Sequence, residues 1–194
     1  MHFGHGQATS PTALAHASLG LDTNWTFSAD MPTQARLFLQ HVRANAYQKV
    51  LDAGQAPRRS PMGVEDAFLL LTRQGGLALR RPDLGVLQVG AKADIAVFDA
   101  TSPNMAGWTD AVAAVVLHAN VGDVEGVVVD GQWRKKQGKL VVDWEAVRRR
   151  FEEVARRVQR EAKRLMEGVE GGEEGPFGGM MEWGEPEVFS TRRE

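Results

Sequence analysis

The chain has 194 residues, 43% hydrophobic and 25% charged, with a formal net charge of −2. That is enough chain to bury a core, and it carries no overall field that would draw it to nucleic acid or an anionic membrane. Cysteine is absent, which excludes disulfides, thiolate metal sites and a cysteine nucleophile. No run approaches ~18 uninterrupted apolar residues, so no membrane span is expected. The N-terminal Met-His-Phe-Gly-His-Gly lacks the basic and apolar regions of a signal peptide, and the cytoplasm is the expected compartment.

Residues 1–16 are small, polar and Gly-containing, and they carry His2, His5 and His16. A short helix is expected over Pro11–His16 and an apolar strand over Ala17–Leu21. A long helix is expected from Asp30 to Ala53. Asp30 is a suitable N-cap, Pro32 fits the first turn and Gly54 stops the helix. Met31, Ala35, Phe38, Val42, Ala46 and Val50 recur at the three-to-four spacing of one buried face. Residues 54–61 read as a loop and Gly63–Thr72 as a second, heavily apolar helix. Gly75-Gly76 is expected to break the chain before a further turn at Leu77–Leu79.

Val86–Val89 is expected as a short strand leading into the Gly90 turn, and Ile95–Phe98 as a buried strand. Asp110–Ala119 reads as a short apolar helix whose end carries His118, there to cap or to pack. Val124–Val129 should pair with Gln132–Lys136 across Asp130-Gly131, a type I′ hairpin signal. Leu140–Val142 should end the sheet. Asp143 would then cap a helix from Trp144 to Gly168, with an apolar stripe of Trp144, Val147, Phe151, Val154, Val158, Ala162 and Leu165. Eight Lys/Arg and six Asp/Glu fall between 143 and 167. Arg148–Arg150, Arg156-Arg157, Arg160 and Lys163-Arg164 invite a nucleic-acid reading, but the interleaved acids favour a solvated amphipathic helix. Residues 169–194 are Gly- and Glu-rich without periodicity and are expected to be disordered.

The stretch that organises a functional reading is Leu19-Gly-Leu-Asp22-Thr-Asn-Trp-Thr-Phe-Ser-Ala-Asp-Met31. A short apolar run ends in one carboxylate, and a helix follows the loop. A (β/α) barrel places active-site groups in that position. The same pattern also suits an ordinary turn aspartate before a helix.

Ala17-Ser-Leu-Gly-Leu-Asp22-Thr-Asn with Ser28-Ala-Asp-Met31 resembles the last barrel strand of the metal-dependent amidohydrolases. The nearest branch is the cytosine, guanine and S-adenosylhomocysteine deaminases with the related chlorohydrolases. Val86-Leu-Gln-Val-Gly90-Ala-Lys92-Ala-Asp94-Ile-Ala-Val-Phe-Asp99 resembles the family's return from barrel to accessory β-sandwich. Val124–Trp133 with Gly138–Leu140 is similar to its closing sandwich strands. The three segments stand in the family's order. A complete barrel takes about 250 residues, so the resemblance implies the C-terminal part of such an enzyme.

The resemblance implies an α+β fold: the last part of a (β/α)8 barrel over residues 1–85, accessory β-sandwich strands over 86–142, an amphipathic helix over 143–168 and the tail. It implies a parent activity of metal-assisted C–N bond hydrolysis, the deamination of a nucleobase-like ring, on a small-molecule substrate. Asp22 would be the catalytic aspartate, touching the metal and taking a proton from the attacking water. Asn24, Trp25 and His5 would line the substrate pocket, Trp25 stacking on a flat ring. Asn24 and Trp25 suit loop packing equally well, His5 suits an exposed loop histidine to which no motif assigns a role, and Lys92 and Asp94 suit a structural turn. The parent family's metal is zinc or iron. A metal site needs three or four ligands, and the chain by itself is expected to hold none and to be inactive. The rival reading is a catalytically dead remnant that serves oligomerisation or protein interaction through its helices. The expected partners are accordingly a second copy or the missing barrel half, with no nucleic acid and no membrane.

Overall fold

A computed structural model describes residues 14–21 and 28–166. The described residues fall into two units, one ending at Trp144 and the other beginning at Glu145. Helix α1 spans Met31–Asp52, α2 Val64–Leu71, α3 Arg73–Ala78, α4 Ala111–Leu117 and α5 Trp144–Met166. Strands β1 (Ile95–Phe98), β2 (Val124–Val129), β3 (Gln132–Lys136) and β4 (Lys139–Leu140) form one antiparallel sheet in that order. The fold is a mixture of helix and sheet, as expected.

The sequence signals that start and stop α1 act as their chemistry requires. The Asp30 carboxylate accepts the Thr33 N–H at 2.7 Å, satisfying one of the free donors of the first turn. Past its end, Gly54 takes φ +72° and donates its N–H to the Leu51 carbonyl. Ala35, Phe38 and Val42 are buried as the spacing predicts, and Leu39, four residues after Ala35 on the same face, is fully buried as well. It meets Phe38, Val42, Met62, Ala67, Leu70 and Val116, where α1, α2 and α4 converge. A smaller cluster of Met105, Ala114 and Ala119 with Phe98 lies between α4 and the sheet.

Arginines fasten the helices to carbonyls elsewhere in the chain. Arg36 donates to the carbonyls of Val116 and Ala119, at 3.1 and 2.5 Å, and Arg43 to that of Met62. Arg73 donates to those of Pro82 and Leu84 at 2.7 and 2.9 Å. On the far side of α4, the buried Asp123 accepts from the Asn120 N–H and the Asn104 side chain. The Ser102 hydroxyl and these donors hold its carboxyl below the usual range.

Several expectations are corrected. Ala17–Leu21 joins no sheet; it is tied to the core by the Leu19 N–H, which donates to the Leu70 carbonyl, and by the packing of Ala17 and Leu19. A strand needs a neighbour to pair with, and no described strand runs beside it. The helix does not break at Gly75-Gly76. It breaks at Thr72 (φ −124°, ψ −90°), and α3 then runs through both glycines. Gly76 serves contact instead: a Cβ there would stand 2.7 Å from the Leu84 carbonyl oxygen. Val86–Val89 forms no strand, and Leu87 and Val89 project into solvent. Strand β1 is half-exposed, because β2 covers one edge and its outer face is open. The last strand is Lys139–Leu140, shorter and earlier than Leu140–Val142.

The hairpin expectation holds. Asp130 and Gly131, at φ +48° and +77°, turn β2 into β3 with the geometry a type I′ turn demands. Gln137 and Gly138, at +50° and +73°, repeat it between β3 and β4. Gly126 leaves room for the Trp133 ring, which a Cβ would approach to 2.9 Å.

Candidate functional site

The residues proposed from sequence as catalytic, metal-binding or substrate-binding are Asp22, Asn24, Trp25 and His5, and all lie outside the described residues. What is described is the frame on either side of residues 22–27. Before it, the chain is held against α2 by the Leu19–Leu70 backbone bond. After it, the Ser28 hydroxyl donates to the Asp30 carboxylate at 2.6 Å, and the Gln34 side chain donates to the Ser28 carbonyl. Partial burial pushes the Asp30 carboxyl up, but the Ser28 and Thr33 donors outweigh it and hold the group below its ordinary value. Asp30 is therefore anionic at neutral pH and committed to the cap.

The second segment singled out from sequence, Gly90–Asp94, is fully described. Lys92 forms an ion pair with Asp130 at 2.7 Å, and Asp94 accepts the Asp130 N–H at 2.7 Å. The Gly131 N–H donates to the Ala93 carbonyl at 3.0 Å. Three contacts from three consecutive residues thus grip the β2–β3 turn. On the other side, the Lys92 N–H donates to the Asp83 carbonyl, and Asp83 pairs with Arg81 at 2.6 Å. The Arg81 guanidinium holds the Asp83 carboxyl down to about 2. The hydrogen bond and charge of Asp130 raise the Lys92 pKa, keeping it a cation rather than a base. The segment is a structural joint, in keeping with its sequence reading. Its partner Asp130 was visible in the sequence only as a turn residue.

Among the described residues, His16, His41 and His118 gather with no cluster of carboxylates. His16 is exposed, and His118 is an exposed residue at the C-terminal cap of α4, its N–H donating to the Ala114 carbonyl. Among the described residues no group of three or more His, Asp or Glu side chains stands close enough to hold a metal ion. The donor set described here does not fit a catalytic metal. No described helix is long and apolar enough to cross a membrane.

No family model matches the chain. Among curated relatives, it is 38% identical over 65 residues to a 5-methylthioadenosine/S-adenosylhomocysteine deaminase of Thermococcus sibiricus, covering 34% of this chain and 15% of that one. A protein of the same name from Acetivibrio thermocellus is 32% identical over 101 residues, 51% of this chain and 23% of the relative. The chain thus spans less than a quarter of the length of these relatives. Among solved structures, an adenosine deaminase from Xanthomonas campestris with bound zinc superposes with a TM-score of 0.56 at 20% identity, over 68% of this chain and 28% of that one. The structural likeness speaks to fold, and the deaminase sequences speak to kinship. The sequence matches support the resemblance to the metal-dependent amidohydrolases, at low identity and over part of their length.

Proposed function

We propose that this chain supplies the closing portion of an amidohydrolase whose activity is hydrolysis of a C–N bond, the deamination of a nucleobase-like ring. The observation that carries the reading is the sequence match to S-adenosylhomocysteine deaminases, at 32% identity over 101 residues. In this reading residues 1–85 are the last part of the barrel, 86–142 are accessory sandwich strands, and the 143–168 helix and the tail follow. The grip of Lys92, Ala93 and Asp94 on the Asp130-Gly131 turn supports that division, because it fixes the chain where helical layer gives way to sheet.

Asp22 is the carboxylate this reading places at the metal and assigns to proton transfer, with Asn24, Trp25 and His5 toward the substrate. The described residues hold no cluster of three ligands, so no metal step is derived from them. Activity belongs to an assembly in which other barrel strands complete the site. The metal there, zinc in the structural relative, would activate water for attack on the ring.

Complementation tests this. The chain is co-expressed with the upstream barrel strands of a deaminase relative, then assayed for ammonia release from adenine nucleosides and for bound zinc. Restored activity and zinc are expected, with Asp22→Ala lowering turnover by at least about a hundredfold. An Asp22→Ala complex as active as the parent would remove Asp22 from the chemistry.

A further inference from the structure

Helix α5 carries an apolar stripe that nothing described within its own unit covers. Trp144, Val147, Phe151, Val154, Val158 and Leu165 are each 46–67% exposed. Their spacing alternates three and four residues, the a and d positions of a heptad running through three repeats. Glu161 occupies the one d position that is not apolar. A helix of 23 residues is about 34 Å long, and a seam of that length buried on one side matches a short coiled coil.

The two flanks of the stripe differ, and the difference selects the occupant. In this register the g positions are Arg150, Arg157 and Arg164, while the e positions are Arg148, Ala155 and Ala162. Arg148 is engaged by Glu145 and Glu152, and Arg164 by Glu161, along the same helix. Among the described residues Arg150 and Arg157 make no ion pair. A second copy in parallel would set Arg150 and Arg157 against alanine, and in antiparallel it would set arginine against arginine. Neither arrangement supplies a carboxylate to these two cations.

We infer that α5 is a docking helix for an acidic amphipathic helix, one that carries apolar a and d positions and carboxylates opposite Arg150 and Arg157. The apolar seam provides most of the affinity. The two guanidiniums provide the choice of partner, since like charges across such a seam repel.

The test uses the full chain and two synthetic 28-residue peptides with identical Leu and Val a/d positions, one with Glu and one with Lys at e and g. Binding is followed by anisotropy of the labelled peptide at low and high salt. The Glu peptide is expected to bind about tenfold more tightly than the Lys peptide, with the margin shrinking in high salt. The double variant Arg150→Glu/Arg157→Glu should invert the preference. Arg150→Gln/Arg157→Gln, which adds no like charges along the helix, should abolish it, with far-UV circular dichroism confirming that α5 persists. Equal binding of both peptides, or a preference unchanged by either variant, overturns the proposal. So does sedimentation of the chain as a dimer that the Glu peptide cannot dissociate, which would assign the stripe to a second copy. Glu-peptide binding only after removal of residues 168–194 would equally overturn it, assigning the stripe to the chain's own acidic segment.

Discussion

Two adjacent glycines in α3 test the packing of the joint with an internal control. Both sit in a helix, so replacement by Ala gains the same intrinsic preference, about 0.8–1 kcal/mol per residue, part of it through the unfolded chain. Their surroundings differ. A Cβ at Gly75 would have nothing within 4 Å. At Gly76 it would stand 2.7 Å from the Leu84 carbonyl oxygen and 3.0 Å from the Leu84 carbonyl carbon and Cβ. That carbonyl cannot retreat freely, because it accepts from Arg73 at 2.9 Å, and Gly85 behind it would itself place a Cβ 2.6 Å from the Thr72 oxygen. Forced overpacking of this kind costs about 1–3 kcal/mol. Gly75→Ala should therefore stabilise by about 0.5–1 kcal/mol, and Gly76→Ala should lie about 1–3 kcal/mol below it. Urea unfolding followed by far-UV circular dichroism measures both, provided the slopes agree. Equal stability of the two variants would refute the close approach of the 82–85 loop to α3.

Leu39→Ala, at the meeting of α1, α2 and α4, should cost about 2–5 kcal/mol, while Leu37→Ala on the exposed face of the same helix should stay within about 0.5 kcal/mol of the parent; the same urea titration separates them. Asp83, Asp99, Asp123 and Asp130 all have folded pKa values below their ordinary ones, Asp83 at about 2 through Arg81. The folded chain then binds fewer protons than the unfolded chain as the medium becomes acidic, so this stabilisation is complete above about pH 4 and is lost as pH falls toward about 2. The thermal midpoint should drop across that window, less steeply in Asp83→Asn, and a midpoint that rose on acidification would contradict the assignment. Asp94→Ala should raise the hydrogen-exchange rate of the Asp130 amide, which it leaves without its side-chain acceptor, whereas Lys92→Met, breaking only an exposed pair, should change it little.

Local chemistry was the legible part of the sequence. The Asp30 cap, the stop at Gly54 and the Asp130-Gly131 turn each act through neighbours within a few residues, and each stands as expected. What was not legible depends on partners far along the chain. Ala17–Leu21 and Val86–Val89 are apolar enough for strands, but a strand is completed by another strand, and none described lies beside either. Leu39 stands four residues after Ala35 and so shares the predicted face, but its complete burial needs cover from two helices, α2 and α4, that local spacing does not show. Gly75-Gly76 resembles a breaker in one dimension; only the return of residues 82–85 shows that Gly76 is there for contact. For the candidate site, Asp22, Asn24, Trp25 and His5 remain a proposal, while the Lys92-Ala-Asp94 grip was legible as a turn but not in its partner, 36–38 residues away.

These non-local failures share a direction. Apolar surface that the sequence prepares for burial stands open: Leu87 and Val89 ahead of the sheet, Val129 and Trp133 on it, and the stripe of α5. Scattered exposed hydrophobic residues need no explanation, but contiguous ones on an edge and along a helix mark contact surfaces. The open surfaces need not share one occupant. Strand-edge residues such as Ile95 and Val97 call for backbone partners, which further strands of an amidohydrolase-like sheet would supply. The α5 stripe makes its backbone bonds internally and asks only for side chains, of which the arginine flank specifies the charge. Pairing at the open edge of β1 and docking on the α5 stripe would therefore be separate events. Protection of the 86–99 backbone from hydrogen exchange should rise when upstream barrel strands are supplied, and protection at α5 should rise when the acidic peptide is supplied. If the upstream strands alone protected α5 fully and excluded the acidic peptide, the helix would belong to the enzyme's own packing.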